Sequence, residues 1–357
     1  MRRGLWWALA GTGAALAALA IAFRVPALQD RLVRRGIAHA VAEQRAELFR
    51  GDALRVLLCG TGSPLPSQTR ARACVAVFAG GRFWVVDTGP GSWNRLGLLQ
   101  VDGSRIAGVL LTHFHSDHIG DLGELNMNTW VMGRPEPLRV FGPPGVERVV
   151  AGFAEAYAQD TQYRIAHHGA DFLPPERSRM EARAIPLQGG SSVVLEEDGL
   201  RITAFPVNHA PVSPAYGYRF DYRGRSAVIS GDTAKDAAVS TAARGADLLV
   251  HEALARPLVA MIGEAAASAG RSRVAKIMGD IPSYHTTPVE AAEVANAAGV
   301  KLLVLDHLVP APSNRLLELA FARGVDAVRP SGWRLGEDGL LVELPADSSA
   351  VELRQLD

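Results

Sequence analysis

The chain has 357 residues, 48% of them hydrophobic, so it can form one large domain or two small ones and is not a disordered protein. Basic and acidic residues number 37 each, and this balance argues against a protein whose main function is to bind a nucleic-acid backbone, although it is compatible with a local basic patch. The two cysteines, Cys59 and Cys74, exclude a disulfide-dense scaffold; we expect free buried thiols, with a single disulfide left open.

The first feature along the chain is an uncharged apolar run from Gly4 to Phe23, preceded by Arg2 and Arg3. A helix of that length spans about 30 Å, which is the thickness of a bilayer core. Because the run is longer than a usual signal-peptide core, we predict a signal anchor in residues 1–23, with a cleaved signal peptide as the alternative. Both alternatives predict a membrane-anchored or exported protein with a periplasmic or extracytoplasmic catalytic domain.

Residues 24–52 are predicted to form a connecting amphipathic helix. Apolar residues recur there at three- or four-residue spacing, and Pro26 suits the first turn. We expect this helix to pack on the main domain, with a position on the membrane surface as the alternative. Residues 53–357 are predicted to be one domain because no linker rich in glycine and serine divides them.

Strand and helix patterns alternate along residues 53–357, which predicts an α/β or α+β class. Short apolar runs bounded by turn residues predict strands, and Gly80-Gly81 predicts a hairpin. The predicted strands are Leu54–Leu58, Cys74–Phe78, Phe83–Asp87, Ile106–Leu111, Leu200–Val207, Tyr216–Phe220, Arg225–Ser230, Asp247–Val250 and Leu302–Leu305. The predicted helices cover residues 120–132, 145–158, 234–244, 254–268, 287–298 and 312–322.

The strongest chemical signal is the segment T-H-F-H-S-D-H, which starts directly after the predicted strand Ile106–Leu111. In extended backbone, side chains two residues apart point to the same side, so His113 and His115 can bind one cation together. Asp117 and His118 lie where the chain turns into the next helix, and they can serve a second cation. This clustering of histidines with an aspartate in register predicts a metal site.

Further residues with metal-binding or acid–base side chains lie at the ends of other predicted strands. Because α/β folds gather their sites at the ends of strands, we expect these residues to join the histidine motif. They are His209, Asp232 in S-G-D-T, His251 and Glu252 in H-E, His285 in H-T-T-P, and His307.

The order of these motifs resembles the metallo-β-lactamase fold hydrolases. The order is G-T-G-S-P, V-D-T-G, H-F-H-S-D-H, an isolated histidine, S-G-D-T, H-E, H-T-T and D-H, over residues 54–345. The last elements are similar to the branch that contains the tRNA 3′-processing endonuclease RNase Z and arylsulfatase- and phosphodiesterase-type hydrolases. The resemblance implies an α/β fold built as a four-layer αβ/βα sandwich, preceded here by the N-terminal helix.

The resemblance also implies a dinuclear zinc site with a hydroxide between the ions as the nucleophile. Manganese or iron can occupy such a site as well. An aspartate as the bridging ligand distinguishes this chain from zinc β-lactamases that use a cysteine. The implied ligands are His113, His115 and His209 for one ion, Asp117, His118 and His307 for the other, and Asp232 as the bridge.

The same resemblance assigns acid–base and supporting roles. Asp117 would aim the hydroxide, and His285 would protonate the leaving oxygen. Glu252 would hold the His285 ring in the right tautomer. Asp87 and His251 are expected to support the site from outside the ligand set.

The match to RNase Z is incomplete at two places. RNase Z enzymes with a tRNA-clamping arm carry a long insertion before S-G-D-T, where this chain has the short hairpin 221–225. After the final histidine RNase Z has serine and arginine, and this chain has Leu308-Val309-Pro310. We therefore predict hydrolysis of a small sulfate ester or phosphodiester. The alternatives are RNase Z activity on tRNA precursors, a lactone or thioester hydrolase on the same fold, and a non-enzymatic metal-binding protein.

Two further expectations concern the surroundings of the site. Residues 160–186 contain many charges and are predicted to be a surface excursion or lid, with a plain solvated loop as the alternative. Trp93, Met127, Trp130 and Met132 either line a substrate pocket or pack in the core at helical spacing. The expected partners are a small ester and, through the N-terminal helix, the membrane; a nucleic acid is the less favoured partner, and a homodimer is left open.

Overall fold

The computed structural model describes residues 24–42, 45–187 and 190–357. The predicted signal anchor at Gly4–Phe23 lies outside these ranges. Within them, the helices are too short or too polar to cross a bilayer. Helix α1, Pro26–Ala42, falls in the predicted connecting segment, and Ala46–Asp357 forms a compact unit by itself. The domain boundaries after residues 23 and 52 stay predictions.

Most strands of this unit are runs of buried apolar residues, because strands covered on both faces need no polar alternation. In chain order they are β1 Ala53–Gly60, β2 Cys74–Ala79, β3 Arg82–Val86, β4 Ile106–Leu110, β5 Leu138–Gly142, β6 Met180–Ala184, β7 Ser192–Glu197, β8 Leu200–His209, β9 Val212–Tyr222, β10 Arg225–Ile229, β11 Leu248–Leu254, β12 Leu302–Val309, β13 Trp333–Leu335, β14 Leu340–Pro345 and β15 Glu352–Gln355.

The helices lie between the strands. After α1 they are α2 Ser92–Leu98, α3 Ser116–Ile119, α4 Leu122–Val131, α5 Val146–His168, α6 Ala237–Ala242, α7 Arg256–Ser268, α8 Ser272–Asp280, α9 Pro288–Ala298, α10 Arg315–Phe321 and α11 Val325–Val328. Thr287 and Glu290 form a capping box at the start of α9, directly after H-T-T. This cap fixes the point where the chain leaves the candidate site and becomes helical.

The strands form two sheets whose parallel parts position the motifs. The first sheet has the order β15-β14-β1-β2-β3-β4-β5-β6, and the second has the order β13-β12-β11-β10-β9-β8-β7. Strands β3 to β6 are parallel neighbours, as are β10 to β13. The histidine motif therefore leaves the carboxyl end of a parallel strand in one sheet, and Asp232 and His307 lie at the equivalent end in the other.

The apolar core has three layers. One cluster, with Val77 and Val250, fills the space between the sheets. A second, with Leu125, lies between the first sheet and α2, α4 and α5. A third, with Ala295, lies between the second sheet and α6 and α9. The layers are helix, sheet, sheet and helix, so the predicted sandwich is confirmed, whereas the transmembrane helix predicted to precede it has no support.

The two cysteines are not free. Cys59 in β1 and Cys74 in β2 form a disulfide across two antiparallel strands. The strand register shifts between Leu58 and Gly60, and this irregularity lies beside the bridge. Spacing along the chain does not show which residues face each other across strands, and so the expectation of free thiols was wrong.

The predicted lid at 160–186 is fixed to the body of the domain. Helix α5 continues to His168, and β6 adds the edge strand of the first sheet. Between them, Leu173 is buried against Trp130, and the Trp130 indole donates a hydrogen bond to the carbonyl of Pro174 at 3.0 Å. The segment is therefore a largely exposed surface excursion that Leu173 anchors to the domain, rather than a lid.

Core packing, rather than a pocket, accounts for three of the four residues proposed for a substrate pocket, Trp93, Met127 and Trp130. Met127 and Trp130 are 2% and 1% exposed in one small cluster. Trp93 packs against the cluster under the first sheet, and Met132 is exposed on the surface. Helical spacing alone did not distinguish the two alternatives.

Candidate metal centre

The histidine motif directly follows a buried strand. Strand β4 is buried along its whole length, and the chain turns from it into α3. His113 and His118 are buried, and His115 is exposed. His113 Nε2 and His115 Nδ1 lie 2.9 Å apart, so the two rings point at a common position. Two imidazole nitrogens in this arrangement can share one cation.

The second sheet supplies the remaining candidate ligands. His209 ends β8, Asp232 follows β10, and His307 lies in β12. With the motif they form two groups in which one donor atom of each residue lies within 4.8 Å of the others. The groups are His113, His115, His209 and Asp232, and Asp117, His118 and His307.

Asp232 belongs to the first group and also lies close to the second. Its Oδ2 is 3.4 Å from His118 Nε2, 3.5 Å from His307 Nε2 and 4.0 Å from His209 Nε2. Burial opposes ionisation of this carboxyl, but the neighbouring His307 and His118 outweigh burial and hold the pKa of Asp232 well below its usual range. The carboxylate is therefore charged and central, as a bridging ligand requires.

Hydrogen bonds from outside orient the ligand rings. Asp87 Oδ2 accepts from His118 Nδ1 at 2.7 Å, and Asp87 Oδ1 accepts from the Thr112 amide at 2.8 Å. His209 Nδ1 donates to the carbonyl of Tyr284 at 3.1 Å. Such contacts leave the opposite ring nitrogen to face a metal.

The unpartnered nitrogens indicate what the centre can hold. His118 Nε2 and His209 Nε2 are buried and have no hydrogen-bond partner among the described residues. Burial lowers the pKa of His113 and of His209, which favours the neutral form that binds metals. Buried imidazole and carboxylate donors that converge in this way fit a divalent cation, and an imidazole-rich set suits zinc.

His285 and Glu252 form a buried hydrogen-bonded pair beside the candidate ligands. His285 Nδ1 is 2.9 Å from Glu252 Oε1, which also accepts from the amides of Thr233 and Thr286 at 3.1 Å each. Burial disfavours the protonated imidazole, but the Glu252 carboxylate outweighs burial and raises the pKa of His285. His285 also lies within 4.8 Å of donor atoms of Asp232 and His307, so this ring is next to the centre.

The structure does not connect His251 to the candidate ligands, and it adds Tyr284 as a supporting residue that the sequence analysis did not identify. His251 is buried in β11 and contacts the carbonyl of Glu252 at 2.8 Å; in the described part of the chain its hydrogen bonds reach none of the candidate ligands. Tyr284, absent from the prediction, holds His209 through its backbone carbonyl. The sequence feature that could have pointed to Tyr284 is its position directly before the H-T-T element.

An open recess of about 620 Å³ adjoins the centre. Its lining includes His115 and His209 and, from α8 and the turn after it, Lys276, Asp280 and Tyr284. The two tryptophans and two methionines proposed for a pocket are not part of this lining in the described structure. We call this space the recess below.

The family is shown by comparison with known proteins. A family model described as Beta-lactamase superfamily domain matches residues 82–308. The chain belongs to this superfamily. Among curated relatives, Ribonuclease Z of Mycobacterium avium is 38% identical over 261 residues, which cover 72% of this chain and 87% of the relative. Ribonuclease Z of Mycobacterium marinum is 37% identical over the same shares.

Solved structures share the superfamily fold at lower identity. The metallo-beta-lactamase fold protein YhfI of Bacillus subtilis is 20% identical, with a TM-score of 0.58 over 82% of this chain and 99% of that chain. Human tRNase Z, short form, is 21% identical, with a TM-score of 0.58 over the same shares. These likenesses support the fold alone. The family and the relatives identify the chain as a metal-dependent hydrolase of ester bonds.

The comparisons contradict the predicted localisation. Relatives that match 72% of the chain are named Ribonuclease Z, and none of the relatives or structures reported above is described as anchored or exported. The prediction of a membrane-anchored, periplasmic enzyme rested on the apolar run at Gly4–Phe23, which is outside the described residues. We do not retain it.

Proposed function

We propose that this hydrolase is a two-zinc phosphodiesterase that cleaves RNA in the manner of Ribonuclease Z. The observation that carries the proposal is the 38% identity to Ribonuclease Z over 261 residues, in a chain whose candidate ligand set is complete. The sulfate ester that the sequence analysis favoured has no support from the relatives, and the same holds for a lactone or thioester.

Under this proposal the seven candidate ligands divide between two zinc ions. When bound, zinc supplies Lewis acidity and lowers the pKa of a water molecule at the centre. Following the two groups of donor atoms, His113, His115 and His209 would hold one ion, and Asp117, His118 and His307 would hold the other. Asp232, whose carboxylate lies 3.5 Å from His307 and 4.0 Å from His209, would serve both ions.

The protein's own acid and base complete the reaction. Asp117 accepts a hydrogen bond from the attacking water and so orients it toward phosphorus. As the bond between phosphorus and the leaving oxygen breaks, His285 donates its proton to that oxygen. Glu252 keeps the imidazole oriented and, by raising the pKa of His285, favours its protonated form before this step.

A small phosphodiester is the second candidate substrate, and one observation favours it. Strands β9 and β10 are joined by the two-residue turn Arg223-Gly224, and Tyr222 pairs directly with Arg225. This is the position where RNase Z enzymes with a tRNA-clamping arm carry a long insertion. A substrate without a tRNA body needs only the metal centre and the recess.

The deciding experiment compares substrates on the full, zinc-loaded chain. The substrates are a tRNA precursor with a 3′ trailer, bis(p-nitrophenyl) phosphate and p-nitrophenyl sulfate, with Asp232→Ala as the blank. We expect hydrolysis of the diester, removal of the trailer and no turnover of the sulfate. Diester hydrolysis without cleavage of the precursor supports the second candidate. A preference for the sulfate overturns the proposal.

A further inference from the structure

We infer that the recess binds a planar aromatic ring attached to the scissile ester, with the side chain of Tyr284 as the stacking surface. The inference rests on the proposed phosphodiesterase function, because it places the ring beside the bond that is cleaved. It adds a substrate class to that function: phosphate esters that carry a nucleobase or an aryl group, in preference to alkyl esters.

The recess has the position and size for such a group. Its lining contains the candidate ligands His115 and His209, so a group inside it is connected directly to the metal centre. Its volume of about 620 Å³ lies within the range of about 300–1,000 Å³ that is usual for small-molecule sites. A single nucleotide or an aryl phosphate fits in that space.

The Tyr284 ring is available for stacking. Its centroid is 5.3 Å from the ring of His209 and 5.0 Å from the ring of His285, both of which belong to the centre. In the described part of the chain no other aromatic ring packs against it, and its hydroxyl has no hydrogen-bond partner. Tyr284 is half-buried, and it is one of the residues that line the recess.

The backbone that carries this ring is fixed. The Tyr284 carbonyl accepts from His209 Nδ1 at 3.1 Å, and two residues later the Thr286 carbonyl accepts from the Leu254 amide at 2.7 Å. Before Tyr284, the hairpin of α7 and α8 is anchored by Val259 and Met278 in a buried cluster with Leu254. A rigidly held aromatic ring loses little freedom when a ligand stacks on it.

The charged side chains at the rim of the recess do not explain how it would select one ester over another. Lys276 and Asp280 are exposed and form an ion pair at 2.7 Å. One cation and one anion side by side give no strong preference for a charged group. The metal centre binds the phosphate, and the aromatic surface is left to distinguish one ester from another.

The test measures binding by calorimetry to the full, zinc-loaded chain. The ligands are methyl phosphate, phenyl phosphate, cyclohexyl phosphate and uridine 5′-monophosphate. We expect the wild type to bind phenyl phosphate or the nucleotide more tightly than methyl phosphate, and phenyl phosphate more tightly than the non-planar cyclohexyl ester. Preference for the phenyl ester assigns the recess to aryl groups, and preference for the nucleotide assigns it to nucleobases.

Substitutions then test whether the Tyr284 side chain causes the preference for aromatic ligands. Tyr284→Leu should weaken binding of the preferred aromatic ligand by about 5- to 150-fold relative to methyl phosphate, the range of aromatic stacking on a base, and Tyr284→Phe should keep it. Zinc content should stay the same, since the carbonyl that holds His209 belongs to the backbone. Tyr163→Leu, which removes an exposed tyrosine on α5, is the matched control.

Two results would overturn the inference: equal weakening of all ligands by Tyr284→Leu, or no difference between the phenyl and cyclohexyl esters in the wild type. The second comparison needs no variant and so does not depend on how a substitution folds. Failure of the proposed function is a separate result. It would be seen as absent phosphodiester turnover while the preference for aromatic ligands remained.

Discussion

The metal centre has two halves, which differ in how their residues are arranged along the chain. The first half, His113–His118, is one short segment at the end of β4. The second half, His209, Asp232 and His307, comes from three strands that are far apart along the chain and end at the same edge of the second sheet. A motif can therefore reveal the first half, whereas the second half is assembled only by the fold.

The halves also differ in what holds them. In the first half a side-chain carboxylate, Asp87, bonds to His118 and Thr112. In the second half a backbone carbonyl, that of Tyr284, holds His209, while His307 Nδ1 is buried without a partner in the described structure. Substitutions outside the ligand set should therefore disturb the first half more than the second.

The largest effect is expected where the halves meet. Asp232→Ala removes the carboxylate that lies 3.4 Å from His118 of the first half and 3.5 Å from His307 of the second half. We expect loss of both metal ions and a fall in turnover of at least about 10³-fold, more than the 10- to 100-fold typical of a residue outside the ligand set. Metal analysis after dialysis and turnover of bis(p-nitrophenyl) phosphate measure both effects.

The matched control for this substitution is Asp236→Ala, which removes a nearby carboxylate that only caps α6. It should cost about 1 kcal/mol of stability and leave the metals in place. Retention of two metal ions in Asp232→Ala would show that the two zinc sites do not share this ligand.

The next largest effect is expected from a substitution that slows catalysis without removing a metal ion. His285→Ala should keep both metal ions and slow turnover by about 10²- to 10⁴-fold, because it removes the proton donor. Glu252→Gln should cause a smaller loss in the same direction, since the imidazole keeps a neutral partner. Turnover and metal content are measured on the same samples. If His285→Ala loses a metal ion, the residue is a ligand of the second half and not the acid.

The sequence showed the first half because its chemistry is local. Strand β4 and the histidine spacing follow from neighbouring residues, and the resemblance to a known family then placed the scattered ligands. The edge strands β6 and β7 were missed because they are short, partly exposed and rich in charge. Helix α8 was missed as well, and it begins without a side-chain cap. The disulfide and the role of the Tyr284 carbonyl depend on contacts between distant segments.

A weaker effect tests whether a side chain supports the first half. Asp87→Asn keeps the shape of the side chain but removes the charge that holds His118. We expect one of two zinc sites to weaken by about 10- to 100-fold in a competition titration with a metal-binding dye. Asp102→Asn, which changes a carboxylate that caps the turn before β4, is the control. Equal weakening of both sites would mean that Asp87 supports both zinc sites and not only the one to which His118 belongs.

The smallest effect on catalysis is expected from the disulfide, although it lies in the sheet that carries the first half. The bridge closes a segment of 15 residues, so replacing Cys59 and Cys74 together by alanine should lower the free energy of unfolding by about 3 kcal/mol. The loop inside that segment is held separately by Asp338, which accepts from the amides of Thr61 at 2.9 Å and Ala71 at 2.7 Å. Metal content and turnover should therefore be unchanged. Urea unfolding of the variant should match that of the wild type under reducing conditions, and loss of metal in the variant would show that the disulfide itself positions the first half.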